Sequence, residues 1–232
     1  MVSYILAFLF GLCIPVFASR YAKIYASDLG EFLFFMWHKP HFPKTSDDKR
    51  AALLKRKWYK FIAWSIFWAI VLTGAFICTD YIIPAKAIPW FKIFICLVTL
   101  LAVTDHQFYV LPDIVTVPLI FLGFGYALWG GIITPETSFL GACYGYLIPA
   151  ICVLLTSAFF PNSFGGGDVK MLAGLGCWMG PFALALVILI SALTFILTSF
   201  ITKKRSDAYG PHLAISGILM LLFSIFHVIS FL

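Results

Sequence analysis

Acidic residues are scarce in this chain, with ten Asp and Glu among 232 residues against sixteen Lys and Arg. Charged residues of both signs make up 11% of the sequence, where an ordinary soluble domain carries roughly a quarter. Hydrophobic residues make up 62%, and the mean hydropathy is +1.00. A soluble core of this size has no use for so much apolar surface, so the excess faces lipid. There is also no C-x-x-C pair. The six cysteines (Cys13, Cys78, Cys96, Cys143, Cys152 and Cys177) all lie in apolar runs, which supports neither a zinc site nor a disulfide framework and reads as buried, inert thiols. H-E-x-x-H and G-x-S-x-G are both missing, which leaves a metalloprotease and a serine hydrolase without support. His106, His212 and His227 are scattered and read as polar residues near span ends rather than metal ligands. The phosphate-loop pattern is absent as well, because Gly167 is followed by Asp168, whose charge repels phosphate.

What is present is a series of apolar runs separated by polar or Pro/Gly breaks. Read as membrane spans of about 20 residues, they fall near 2–18, 61–82, 87–104, 114–133, 138–160, 169–180, 182–201 and 211–231. The expected fold is therefore all-α, a polytopic membrane helix bundle of about eight transmembrane segments. It divides into a first span at 1–19, a basic cytoplasmic loop at 20–60 and a transmembrane core at 61–232. The sixth run is short and is either a full crossing or a re-entrant segment. Within it, Gly176 and Gly180 form a small-x-x-x-small pattern suited to close helix packing.

The net charge of +6 is concentrated between Arg20 and Lys60. Positive charge beside a span marks the cytoplasmic side, and a loop in that position needs no nucleic acid to explain it. The basic residues follow the first apolar run instead of preceding it, so this run reads as a retained span with its N-terminus outside rather than a cleaved signal. Counting crossings from the basic loop brings Asp105, at the end of span three, and Asp168, after span five, to the same cytoplasmic face. A full crossing by the sixth run also delivers Lys203-Lys204-Arg205 to that face.

An ionisable residue at a membrane span is costly enough to be a functional-site hypothesis in its own right. Asp105 sits where a helix C-terminus would oppose its charge. Asp113, following Leu111-Pro112, reads most simply as a helix N-cap. Asp168 closes the run Gly165-Gly166-Gly167, whose lack of side chains leaves room for another backbone to approach. Lys170 and the start of the following helix both favour charge on Asp168. Two carboxylates on one face suggest hydrolysis by a pair sharing one proton.

These residues resemble the leader peptidases for type IV prepilins, which also serve type II secretion pseudopilins. That family carries an aspartate eight positions before the Asp of an L-P-D, and later G-x-G-D. Here these correspond to Asp105, Leu111-Pro112-Asp113 and Gly165-Gly166-Gly167-Asp168, and Tyr209-Gly210-Pro211 is similar to a Gly-Pro near the family's last span. The resemblance covers roughly residues 95–215. It implies an inner-membrane aspartic endopeptidase that removes a short basic leader at the cytoplasmic face. Asp105 and Asp168 would be catalytic, with Asp113, the three glycines and Lys170 supporting. The implied partners are prepilins or pseudopilins and membrane lipid, without nucleic acid, and proteolysis needs no metal or cofactor. Many members also bear two C-x-x-C pairs in a larger first cytoplasmic domain and N-methylate the new terminus with S-adenosylmethionine. The segment from Arg20 to Lys60 has no cysteine, so the chain resembles the shorter, zinc-free members, and methylation is put in doubt. The alternative reading is an intramembrane proton- or ion-coupled transporter using paired acids. Acids at span ends, rather than near the bilayer centre, favour the peptidase.

Overall fold

The computed structural model describes residues 2–34, 47–157, 165–202 and 208–231, with side chains over 2–18, 62–155, 165–202 and 208–225. The described residues form seven helices and no strand: α1 (Val2–Phe34), α2 (Asp47–Ile82), α3 (Ile88–Phe108), α4 (Asp113–Leu128), α5 (Pro135–Ser157), α6 (Gly166–Thr202) and α7 (Gly210–Phe231). Four are long and apolar enough to cross a bilayer, and three further helices have shorter apolar stretches. This is a multi-pass membrane helix bundle. Helices suit an apolar run in lipid because they satisfy every backbone polar group within the segment.

The chain divides into two compact units, Met1–Ile82 and Ile83–Leu232. In the first, α1 and α2 pack closely where Gly11 faces the backbone of Ala69, and Tyr4 hydrogen-bonds Asp80. The segment expected to be a loop over 20–60 is helical as far as Phe34 and again from Asp47. Its intervening residues and its basic side chains lie outside the described residues, as do residues 161–164 and the cluster Lys203-Lys204-Arg205.

The second unit is built around the first part of α6. Every residue from Met171 to Gly180 is buried, so the short sixth run is an interior segment. Gly141 and Gly176 bring the backbones of α5 and α6 together. Trp178 fills the centre. Its ring lies 5.0 Å from Phe94 and 5.4 Å from Tyr126, and its indole N–H donates to the Leu119 carbonyl at 2.8 Å. That bond satisfies the polar end of a side chain that would otherwise be costly to bury.

The sixth and seventh expected spans belong to one element, interrupted at Gly180. This residue has φ 79° and ψ 173° and is followed by Pro181. A residue with a side chain pays a steric penalty in that region, and proline supplies no amide to continue the ladder. The chain folds back here. An uninterrupted helix would separate Asp168 from Ser191 by about 34 Å, yet Tyr209 hydrogen-bonds Ser191 and also lies within electrostatic range of Asp168. The fourth span ends earlier than expected, at Leu128, because Gly130 turns the chain with φ 78°.

The expectation of buried thiols holds for Cys177, which is close to Ser138 Oγ at 3.2 Å. Cys13, Cys78 and Cys152 are exposed instead. On apolar helices, exposure to lipid costs a thiol little, so burial in protein is not required.

Candidate active site

Asp105 lies in the last turn of α3 and is 7% exposed. Its position opposes the dipole of its own helix, and another helix compensates. The Gly210 N–H, at the start of α7, donates to Asp105 Oδ2 at 2.7 Å in a buried setting. Hydrogen bonds to an ionised acceptor are about twice as strong as neutral ones, and the positive end of α7 adds to the effect. A Cβ on residue 210 would stand 2.7 Å from that same oxygen. Glycine is therefore the residue that allows this approach.

After Asp105 the chain turns sharply. Tyr109 caps α3 in the left-handed region at φ 55°, and its N–H donates to the Asp105 carbonyl at 2.8 Å. Leu111 then packs on Gly167, where a Cβ would meet Leu111 Cβ at 2.8 Å. The L-P-D turn and the glycine run are thus in direct contact. Asp113 does not cap its helix. The capping position belongs to Pro112, and no side chain makes a cap bond there. Asp113 instead accepts from Lys170 Nζ at 2.7 Å, with both side chains substantially exposed. This corrects two expectations at once, because the Lys170 ammonium is engaged by Asp113 rather than by Asp168. The pair ties the α3–α4 turn to the first turn of α6.

Asp168 is half-buried beside this turn. Its backbone N–H donates to the Gly165 carbonyl at 3.1 Å. One carboxyl oxygen, Oδ2, lies 3.2 Å from where a Gly165 Cβ would be. The other, Oδ1, is buried with no hydrogen-bond partner among the described residues. Asp105 and Asp168 lie within electrostatic range of each other. At Gly166, nothing among the described residues lies within 4 Å of where a Cβ would be. The glycine run therefore has different surroundings at each position: Asp168 at Gly165, none of the described residues at Gly166 and Leu111 at Gly167.

Sequence reasoning does not single out Ser191, and it notes Tyr209 and Gly210 only through the family resemblance. Tyr209 and Ser191 share a hydrogen bond of 2.6 Å. Burial raises the pKa of the Tyr209 phenol, and the charge of Asp168 adds to the rise, while the Ser191 hydrogen bond opposes it. Among the described residues no group of three or more His, Cys, Asp or Glu is placed to hold a metal ion.

Comparison with known proteins places the sequence. Residues 92–200 match the type IV leader peptidase family. The chain is 33% identical over 163 residues to a prepilin leader peptidase/N-methyltransferase of Neisseria gonorrhoeae, a match covering 67% of this chain and 50% of that protein. The protein of the same name from Dickeya chrysanthemi is 29% identical over 178 residues, covering 71% and 56%. That of Aeromonas hydrophila is 36% identical over 123 residues, covering 48% and 41%. The chain thus spans about half the length of the curated relatives it matches. No solved structure matches it. Through the segment that carries Asp105, Asp113 and Asp168, the chain belongs to the type IV leader peptidase family.

Proposed function

We propose that this chain is a membrane aspartic endopeptidase that removes the leader of a prepilin or pseudopilin, with Asp105 and Asp168 as its catalytic pair. The observation that carries the reading is the convergence of two scarce acids at one end of the bundle. One is held by a backbone amide, and the other has a buried oxygen that no group among the described residues satisfies.

In this mechanism Asp105 carries the charge, because the Gly210 N–H and the start of α7 stabilise it there. It takes a proton from a water molecule, whose oxygen attacks the scissile carbonyl carbon. Asp168 carries the proton of the pair and gives it to the carbonyl oxygen. As the tetrahedral intermediate collapses, one of its hydroxyl protons returns to Asp168, the proton on Asp105 passes to the departing amine and the C–N bond breaks, which restores both carboxyls to their starting states. The order of roles follows the donors present, since the Lys170 ammonium is committed to Asp113. The space over Gly166, clear of the described residues, leaves room for the extended backbone of the substrate. We place the pair at the cytoplasmic face of the inner membrane, in keeping with the basic residues between Arg20 and Lys60. The N-methyltransferase activity in the relatives' names is not carried over, and no residue is assigned to S-adenosylmethionine.

The test is cleavage of a prepilin in membranes by the wild type, Asp105→Asn and Asp168→Asn at matched abundance. Each substitution is expected to lower the rate by roughly 10²- to 10⁴-fold. Full cleavage by either variant would remove that residue from the mechanism, and no cleavage by the wild type would overturn the reading.

A further inference from the structure

We infer that the Tyr209–Ser191 hydrogen bond is a positioning device for the catalytic pair, holding the first amide of α7 against Asp105. The inference rests on the peptidase reading for its catalytic consequence. Its structural content stands apart from that reading.

Ser191 is fully buried, and its hydroxyl is 2.9 Å from the Ile188 carbonyl, to which it can donate its single hydrogen. Its remaining lone pairs then accept from the Tyr209 O–H at 2.6 Å. The phenol stays protonated at neutral pH, because burial disfavours its anion. The bond therefore has a defined direction, from Tyr209 on the connection into α7 to Ser191 on the returning part of α6.

Tyr209 is also where α7 begins. Its carbonyl accepts from the N–H groups of His212 and Leu213, at 3.0 and 3.2 Å. Its ring packs edge-on against Phe195, 5.6 Å between centroids, and the His212 ring also meets Phe195 edge-on at 5.4 Å. One peptide bond further on, the Gly210 N–H reaches Asp105. A displacement of the phenol is passed almost directly to that amide, because only the Tyr209–Gly210 peptide separates them and Pro211 restricts the backbone that follows.

This gives α6 two tasks. Before Gly180 it carries Asp168, and after Gly180 it carries the hydroxyl that secures the donor to Asp105. The turn at Gly180 brings those two functions to the same level of the bundle. Neither Ser191 nor Tyr209 needs to touch substrate for this role, so their loss should lower turnover and leave substrate affinity alone.

Two measurements on the full chain in detergent test the inference. The first is deuterium uptake of the peptide spanning residues 208–213 in the wild type, Tyr209→Phe and Ser191→Ala. Both variants keep the local packing volume nearly intact and are expected to exchange at least about 10-fold faster. Unchanged uptake overturns the inference, whatever the activity of the protein. The second is prepilin cleavage kinetics. Each variant is expected to lose roughly 10- to 100-fold in kcat with KM unchanged, the scale of a misplaced catalytic group. The double variant should lose no more than either single one, because both remove the same bond. Thr202→Ala, on the exposed end of α6, is the control and should match the wild type. If the wild type cleaves, and Asp105→Asn does not, but Tyr209→Phe keeps full kcat, the positioning role fails while the peptidase reading survives. A loss confined to KM, or additive losses in the double variant, would also overturn it.

Discussion

The two parts of α6 share an apolar composition and differ in surroundings: the first is buried all round, and the second keeps only one face, with Leu184, Val187 and Ser191, in protein. From Met171 to Gly180 every residue is buried in protein. After Pro181 the large side chains Phe182, Leu189, Leu193, Ile196, Leu197 and Phe200 are exposed. Side-chain size explains the difference. The first part offers Ala173, Gly174 and Gly176, which let α4 and α5 approach the backbone, with Leu119 against Gly174 and Gly141 against Gly176. In lipid there is little hydrophobic drive between helices, so association depends on such close packing. The second part presents bulky residues that lipid tails accommodate as well as protein would. An apolar run is therefore not one kind of object: small residues mark the part that becomes core.

Substitutions on either side of Gly180 can break this contrast. The largest effect is expected for Trp178→Ala, which removes the ring at the centre of the Phe94–Tyr126 cluster and should cost on the order of 3 kcal/mol, read as a lowered melting temperature in detergent. Phe200→Ala, on the exposed part, should stay within about 0.5 kcal/mol of the wild type. Equal losses at the two positions would erase the distinction.

Gly180→Ala tests the boundary itself. A Cβ there would meet Thr137 Cγ2 at an acceptable 3.4 Å, so its penalty comes from the backbone and should be about 1–3 kcal/mol. The same substitution should reduce cleavage more than stability, because the turn sets where Ser191 and Asp168 stand. A variant as stable and as active as the wild type would show that the turn does not depend on glycine.

The smallest effect is expected at the site's rim. Lys170→Ala breaks an exposed ion pair with Asp113 and should cost under about 1 kcal/mol. That loss should shrink further when salt is added to the melting assay. A larger, salt-independent loss would mean that the pair is more than a surface tie.

Much of the site is legible in the sequence because it is written in charge. In a chain with ten acidic residues, Asp105 and Asp168 stand out against apolar runs, and the glycines before Asp168 advertise close approach. Asp113 reads wrongly as a cap, since sequence shows what precedes a helix but not which lysine lies across from it. Ser191 is invisible for a related reason. A serine inside an apolar helix often bonds its own backbone, and nothing local shows that its remaining lone pairs face a tyrosine from another element. Gly141 gives no signal either, because the close approach belongs to the pair it forms with Gly176.

By itself, the sequence determined that the chain is a membrane bundle, roughly where its helices run, and that two aspartates near span ends invite a hydrolytic reading. Those features follow from transfer free energy and helix length, which act residue by residue along the chain. Only the tertiary structure decided that α6 doubles back at Gly180, that the α7 amide compensates an aspartate at the wrong end of α3, and that Lys170 answers to Asp113. Each depends on a distance between residues far apart in sequence, and hydrogen bonds and ion pairs are decided by such distances.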